Sequence, residues 1–96
     1  MTEVIVTSAA EQDFTASLCW YANQSREIAN DFDSEFDRVM QELLLDPERF
    51  PYCDDVHRFV LMRRFPFQVI FRIDGSDVVI IAVAHASRSP DYWLNR

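Results

Sequence analysis

Lysine is absent from this sequence of 96 residues, and its nine fixed cationic side chains are all arginine. The guanidinium group is planar and presents several N–H donors, so it favours two-point contacts with carboxylates and phosphates. Sixteen acidic side chains outnumber the arginines and give a formal net charge of −7. Because direct binding to nucleic acid needs a strongly cationic surface, this balance argues against such binding.

Cysteine and glycine are also scarce, with two cysteines, Cys19 and Cys53, and a single glycine. No Cys-x-x-Cys spacing occurs, so the sequence predicts no zinc site, and we expect no cofactor. The first residues show no basic segment, and no stretch reaches the ~18 apolar residues that suggest a membrane span. We therefore expect a cytoplasmic protein whose two thiols stay reduced and unpaired.

The chain is rich in apolar side chains, and its charge is divided unevenly between its two halves. Hydrophobic residues make up 49% of it and include eight phenylalanines, which argues against disorder. The length allows one domain, residues 1–96. Residues 1–55 carry thirteen acidic side chains and three arginines, whereas residues 56–96 carry three acidic side chains and six arginines. The first half is therefore acidic and the second half modestly basic.

Two amphipathic helices are predicted in the acidic half. Ser8-Ala-Ala-Glu11 has the form of a capping box, which predicts that a helix begins there. Asn23 or Ser25 can cap a second helix, and Asp46-Pro47 ends it. The short break between the helices predicts an antiparallel hairpin. Their apolar stripes follow helical spacing and comprise Phe14, Leu18 and Tyr21, then Ile28, Phe32, Phe36, Val39, Met40 and Leu43.

Four strands are predicted around this hairpin. A short strand spans residues 3–7, and three consecutive strands are expected near residues 57–65, 67–73 and 78–85. The run 74–77 is typical of a tight hairpin turn, because Gly75 readily adopts a positive φ. The order β-α-α-β-β-β predicts an α+β fold in which the helical hairpin packs across an antiparallel sheet. Whether the first strand pairs with an interior or an edge strand stays open. The expected core comprises Phe14, Leu18, Phe32, Phe36, Leu43, Phe71 and Ile80.

Four segments, taken in order, resemble the RelE/ParE superfamily of toxins from type II toxin–antitoxin systems. They are Trp20-Tyr21-Ala22, the run 47–51 (Pro-Glu-Arg-Phe-Pro), the run 64–72 (Arg-Phe-Pro-Phe-Gln-Val-Ile-Phe-Arg), and His85-x-x-Arg88-x-Pro90-x-Tyr92-Trp93. The ParE-like branch is the more similar one, through Phe65-Pro66-Phe67 and the last segment. The resemblance spans nearly the whole chain and implies a single toxin domain.

This resemblance also implies a function and partners. ParE-like toxins take part in plasmid stabilisation, are associated with poisoning DNA gyrase, and act by binding rather than by known side-chain catalysis. A cognate antitoxin holds such a toxin inactive, through a helix or strand laid into an apolar groove with carboxylates meeting arginines. The implied partners are therefore an antitoxin and, as a candidate target, DNA gyrase.

Two alternatives remain open. RelE-like toxins cleave messenger RNA on the ribosome with a basic cluster on the sheet face and a tyrosine, for which Tyr92 is the candidate. Stabilising the developing charge at a scissile phosphate needs cations. The corresponding positions resemble Phe59, Leu61, Gln68 and Ala86, so we expect no catalysis of this kind. The second alternative is a non-toxic interaction module with the same fold.

The residues expected to bind the target or antitoxin lie on the sheet face, its open edge and the segment after the last strand. They are Arg58, Arg64, Arg72, His85, Arg88, Tyr92, Trp93 and Arg96.

Most of these residues also have a structural interpretation. His85 can be a partly buried strand end, and Tyr92 with Trp93 can cover the end of the sheet as core. Arg88 can pair with Asp91, and Arg72 is expected to pair with a carboxylate. Arg63 and Arg64 are neighbours in a predicted strand, so their side chains should point to opposite faces, one of them towards the acidic helices.

Overall fold

The computed structural model describes residues 2–96 and contains the predicted order of elements. Strand β1 (Val4–Val6) leads into helices α1 (Ser8–Gln24) and α2 (Arg26–Leu45). A 3₁₀ turn at Pro47–Arg49 and an irregular segment follow the hairpin. The chain then forms β2 (Arg58–Leu61), β3 (Phe67–Asp74), β4 (Asp77–His85) and a short α3 (Asp91–Leu94).

Thr7, rather than Ser8, caps the first helix. Its side-chain oxygen accepts from the N–H of Ala10 at 3.2 Å and donates to the carbonyl of Ile80 at 2.8 Å. Ser8 is the first helical residue, so the predicted capping box was wrong by one position. Thr7 is extended and directly follows β1, so one hydroxyl can serve both the helix start and the neighbouring strand.

Ser25 alone joins the two long helices, as one of the two predicted caps. Its backbone is extended, its N–H donates to the carbonyl of Tyr21, and its hydroxyl accepts from Ile28 N–H at 3.4 Å. A linker of one residue forces an antiparallel hairpin, which the aromatic contacts then hold. The rings of Phe14 and Phe36 lie 4.4 Å apart across it.

One mixed sheet carries the hairpin, with strand order β1-β4-β3-β2. Strands β2, β3 and β4 are antiparallel as predicted, but β1 runs parallel to β4, with Val4 opposite Val78. The prediction of an entirely antiparallel sheet was therefore wrong for β1. The irregular segment 46–57 sets the direction in which β2 enters the sheet. The hairpins then fix the directions of β3 and β4, and so decide whether β4 is parallel to β1. No sequence pattern predicts the path of that segment.

Strand β2 ends four residues earlier than predicted. Arg64 adopts a positive φ of 69°, and Met62 N–H donates to Phe67 O at 2.9 Å, so residues 62–66 form a turn. Arg63 and Arg64 therefore do not point to opposite faces of a strand. The Arg64 side chain pairs with Asp31 at 3.2 Å, and the backbone N–H of Arg63 donates to Glu35. Both residues contact the acidic helix α2.

A β-bulge in β4 moves side chains between the two faces of the sheet. Phe71 lies opposite Ile80 and Ile70 opposite Ala82, so Ile81 is the extra residue. An extra residue shifts the alternation of side chains by one. Before and after the bulge, Val78, Ile80 and Val83 face the helices, while Val79, Ile81, Ala82 and Ala84 face the other side. Both faces of β4 are buried.

The main core lies between the hairpin and the sheet. The predicted residues Phe32, Leu43, Phe71 and Ile80 are fully buried there, and Phe14, Leu18 and Phe36 are partly buried against them. A second cluster on the outer face is covered by Trp93, which is buried against Ile70 and Ile81. No helix within residues 2–96 combines the length and apolar character needed to cross a membrane. Both cysteines are free thiols.

Candidate binding groove beside strand β4

A groove of about 730 Å³ separates α1 from the end of β4 and the segment that follows it. One wall is formed by α1 through Gln12, Asp13, Ala16, Ser17, Trp20 and Tyr21. The other wall is formed by Pro66, Phe67, Val83, His85, Ser87, Arg88 and Tyr92. The volume lies in the usual range for binding pockets.

Helical spacing explains which α1 side chains enter the groove. Asp13, Ser17 and Trp20 follow one another at the i, i+4, i+7 spacing and share one face of the helix. Phe14 and Leu18 lie on the adjacent face and pack on the core. Only one face of α1 packs on the core, so the face at the groove can carry polar groups and the aromatic Trp20. Trp20 is 60% exposed.

An ion pair between Asp13 and Arg96 covers part of the open edge of β4. The Asp13 carboxylate accepts from Arg96 at 2.8 Å and from the backbone N–H of Val83 at 3.1 Å. Arg96 also donates to the carbonyl of Ile81, the bulged residue, at 3.1 Å. Since β1 pairs only with residues 78–80, these two side chains satisfy edge groups that a strand would otherwise reach.

Tyr92 lies between two arginines at the rim of the groove. The guanidinium carbon of Arg88 is 3.8 Å from the Tyr92 ring centroid, and that of Arg96 is 4.9 Å away. Burial, with a contribution from the Asp13 carboxylate, raises the pKa of the Tyr92 hydroxyl above its ordinary value. The hydroxyl therefore stays protonated at neutral pH, which makes it a poor proton acceptor.

Arg88 is the exposed cation of the groove. Within residues 2–96 it forms no ion pair, so of the two alternatives it is a surface arginine and is not paired with Asp91. Its position over the Tyr92 ring is a cation–π contact, which holds the guanidinium without neutralising it. A carboxylate from another molecule can reach it.

His85 lines the groove at the end of β4. Its Nδ1 accepts from the backbone N–H of Ser87 at 3.1 Å and lies 2.8 Å from the Ser87 hydroxyl. Because a backbone N–H can only donate, Nδ1 is the acceptor in this contact. The ring also packs edge-on against Phe67 at 5.1 Å, so the structural interpretation of this histidine is correct alongside its place in the groove.

The remaining predicted site residues do not line the groove. Trp93 is buried on the outer face, 5.4 Å from the His57 ring, as the core interpretation predicted. Arg58 donates to the carbonyls of Glu48 and Phe50 and fixes the segment before β2. Arg72 has no carboxylate partner among the described residues, so that expectation was wrong.

Sequence comparison agrees with the fold and with the segments noted above. Residues 4–90 match the profile of the ParE toxin of type II toxin-antitoxin system, parDE. The chain belongs to the ParE toxin family. The match runs from β1 to Pro90, so it includes His85 and Arg88 and stops before Tyr92 and Arg96.

A solved structure shares this ParE fold. It is described as "Chromosomal ParDE TA system from P. aeruginosa" and superposes with a TM-score of 0.79, at 20% identity, over 91% of this chain and 98% of that chain. At this level of identity the likeness shows the fold alone. Among curated proteins, none is similar enough in sequence to this ParE-family chain to count as a relative.

The outer face of this ParE-family sheet is apolar where an RNA-cleaving toxin would carry cations. Leu61 lies opposite Gln68, and Phe59 lies opposite Ile70 and packs against the Trp93 cluster. These three positions share one face, as expected, and supply no positive charge to it.

Asp13 is a groove residue that the sequence did not single out. It contacts Arg96 and Val83, which are 83 and 70 positions away along the chain. A helical wheel of α1 places Asp13 on the same face as Ser17 and Trp20, next to the apolar stripe. Its partners depend on the ends of β1 and β4 and have no local signal.

Proposed function

We propose that this ParE-family toxin acts in the cytoplasm by binding DNA gyrase, and that its antitoxin neutralises it by occupying the groove beside β4. The observation that carries the proposal is the groove itself, in which an exposed, unpaired Arg88 stands among the aromatic rings of Trp20, Tyr21 and Tyr92. Aromatic side chains and arginine are the residues that most often dominate binding energy at interfaces.

Binding is favoured over RNA cleavage by the chemistry of two surfaces. The outer sheet face presents Phe59, Leu61 and Gln68, which cannot stabilise the charge that develops on a phosphate in the transition state. Tyr92 has a raised pKa, so it lacks the ready phenolate that would accept the proton of a ribose hydroxyl.

Controlled expression in bacteria tests the proposed target. Induction should arrest growth together with a DNA damage response, and co-expression of a cognate antitoxin should relieve the arrest. Messenger RNA cuts in the ribosomal A site that vanish in Tyr92→Phe would identify an RNA-cleaving enzyme instead. No arrest from a folded, expressed protein would identify a non-toxic interaction module.

Arg88→Ala tests whether the groove is the binding surface. The side chain is exposed and forms no ion pair with any residue that the structure describes, so the melting temperature should stay nearly unchanged. Binding to the antitoxin should weaken by about 2 kcal/mol, as for a charge-paired interface anchor. Calorimetric titration gives the affinity.

Arg26→Ala is the matched control for Arg88→Ala. Arg26 is also exposed and unpaired among the described residues, but it begins α2, away from the groove. Equal affinities for the two variants would show that the antitoxin does not use Arg88.

A further inference from the structure

Strand β1 forms one edge of the sheet, and part of its backbone points away from the fold. On the inner side, Val78 N–H donates to the carbonyl of Glu3 at 2.8 Å. Because backbone direction alternates along a strand, the polar groups of Ile5 also point towards β4. The N–H and carbonyl groups of Val4 and Val6 therefore point outwards.

The other strand edges of this sheet are covered by parts of the same chain. The segment 51–53 lies along β2, where Cys53 N–H donates to the carbonyl of His57 at 2.9 Å. Beyond the end of β1, Asp13 and Arg96 bond to the backbone of β4. Such covers matter because an open strand edge is a template for pairing with another chain.

The edge at β1 has no such cover within residues 2–96. No side chain and no loop backbone in this range bonds to Val4 or Val6. Ile5 is 43% exposed and Val6 is 37% exposed. The strand also lacks the charged side chains and prolines that usually keep an edge from pairing, and its β-branched residues favour extended structure.

The outward groups of β1 match those of a second copy of the same strand. Two β1 strands can run antiparallel about a two-fold axis at Ile5. Val4 of each copy then lies opposite Val6 of the other, and each such pair exchanges two N–H···O bonds. Ile5 lies opposite its own counterpart, at the position of an antiparallel pair where side chains approach most closely.

The side chains in this arrangement are self-complementary as well. Ile5 lies beside Val79 on the outer face, so the two Ile5 side chains extend the apolar cluster across the axis. Glu3 falls opposite Thr7 of the second copy and not opposite the other Glu3. The pairing therefore opposes no like charges, although each chain carries a net charge of −7. A neutral strand has no charged group with which to select a different partner.

We propose that two copies of this protein associate through their β1 strands, which join the two four-stranded sheets into one sheet about a two-fold axis at Ile5. The dimer is weak and reversible, because a contact of three residues per chain is smaller than a standard interface. This inference goes beyond the proposed function and does not depend on it, since Val4–Val6 do not line the groove.

An exchange of charge at Ile5 tests the two-fold axis, because this position meets itself. Ile5→Lys and Ile5→Glu each place like charges opposite one another, so self-association of either variant should weaken about tenfold or more. In an equimolar mixture of the two variants, opposite charges meet and dimers should form again. Sedimentation velocity over a concentration series measures the association.

Ile28→Lys is the matched control, because Ile28 is similarly exposed, at 41%, but lies at the start of α2. It should self-associate like the wild type. A wild type that stays monomeric over the whole series would overturn the proposal. A mixture that associates no better than either Ile5 variant alone would overturn it too.

Amide hydrogen exchange on the wild type gives a readout that needs no variant. Exchange of the Val4 and Val6 amides should slow as the protein concentration rises, because dimerisation gives both amides an acceptor. The Ile5 amide points towards β4 in the monomer and in the dimer, so its exchange should change little. Dimers in which the Val4 and Val6 amides exchange as fast as in the monomer would overturn the pairing through β1.

Discussion

At the scale of single residues, Asp13 stabilises the fold by joining segments that are far apart in the sequence. Its carboxylate joins α1 to the edge of β4 and to Arg96, and its side chain is only 12% exposed. Asp13→Ala should lower the free energy of unfolding by about 1–3 kcal/mol, because it leaves a backbone N–H without its partner. Urea denaturation measures the loss, with the exposed Asp33→Ala as a control that should change little. Similar losses in both variants would show that the contact is not structural.

Asp54 gives a second residue-scale prediction, on pH. Backbone N–H groups of His57 and Val56 donate to its carboxylate, and together with the His57 ring they lower the pKa of Asp54 to about 2. Since the pKa in the unfolded chain is higher, at ~3.9, the stabilisation is complete above that value and is lost as the pH falls towards 2. Asp54→Asn keeps the shape without the charge. Its deficit in stability relative to the wild type should therefore shrink between about pH 4 and pH 2. Parallel stability curves over this interval would contradict the assignment.

At the scale of elements, the start of α1 allows two neighbouring hydroxyls to be compared. Thr7 caps the helix and also bonds the Ile80 carbonyl, whereas Ser8 is exposed in the first turn. Thr7→Ala should cost about 1–2 kcal/mol, and Ser8→Ala should cost a few tenths at most. Thermal melts of the two variants decide the point. The reverse order would restore the capping box at Ser8.

The elements also show where sequence patterns are informative and where they are not. Helical periodicity and caps predicted both long helices, because burial of one helix face is a local pattern. The direction of β1, the bulge at Ile81 and the early end of β2 depend on the path of connecting segments and on contacts across the chain. Three of the eight predicted binding residues, His85, Arg88 and Tyr92, line the groove because they lie at or shortly after the end of β4, and Arg96 pairs with Asp13 of the groove wall. Arg58, Arg64 and Arg72 were predicted as binding residues from their charge, and charge alone does not indicate where in the fold a side chain lies.

At the scale of the whole molecule, strand β4 is buried on both faces and joins the two clusters, so the domain should unfold as one unit. Trp20 is exposed and Trp93 is 4% exposed on the outer face, so Trp20→Phe leaves one tryptophan, whose fluorescence reports on the second cluster. Its unfolding transition should coincide with that of helix content by circular dichroism, as in two-state unfolding of small domains. An earlier fluorescence transition would mean that α3 and the outer face detach before the main core melts.

The parallel pairing of β1 with β4 has a consequence for biosynthesis. Val4 can pair with β4 only after Val78 has been translated. At 5–20 residues per second, the ribosome needs about 4–15 s to make the intervening chain. The central strand of the sheet is thus the last to be translated, after the helical hairpin has emerged without the surface that it covers. A nascent chain has no groove until β4 is complete, so no truncated translation product ending before β4 can display it. The surface that we propose for antitoxin binding therefore forms only after β4 has been made.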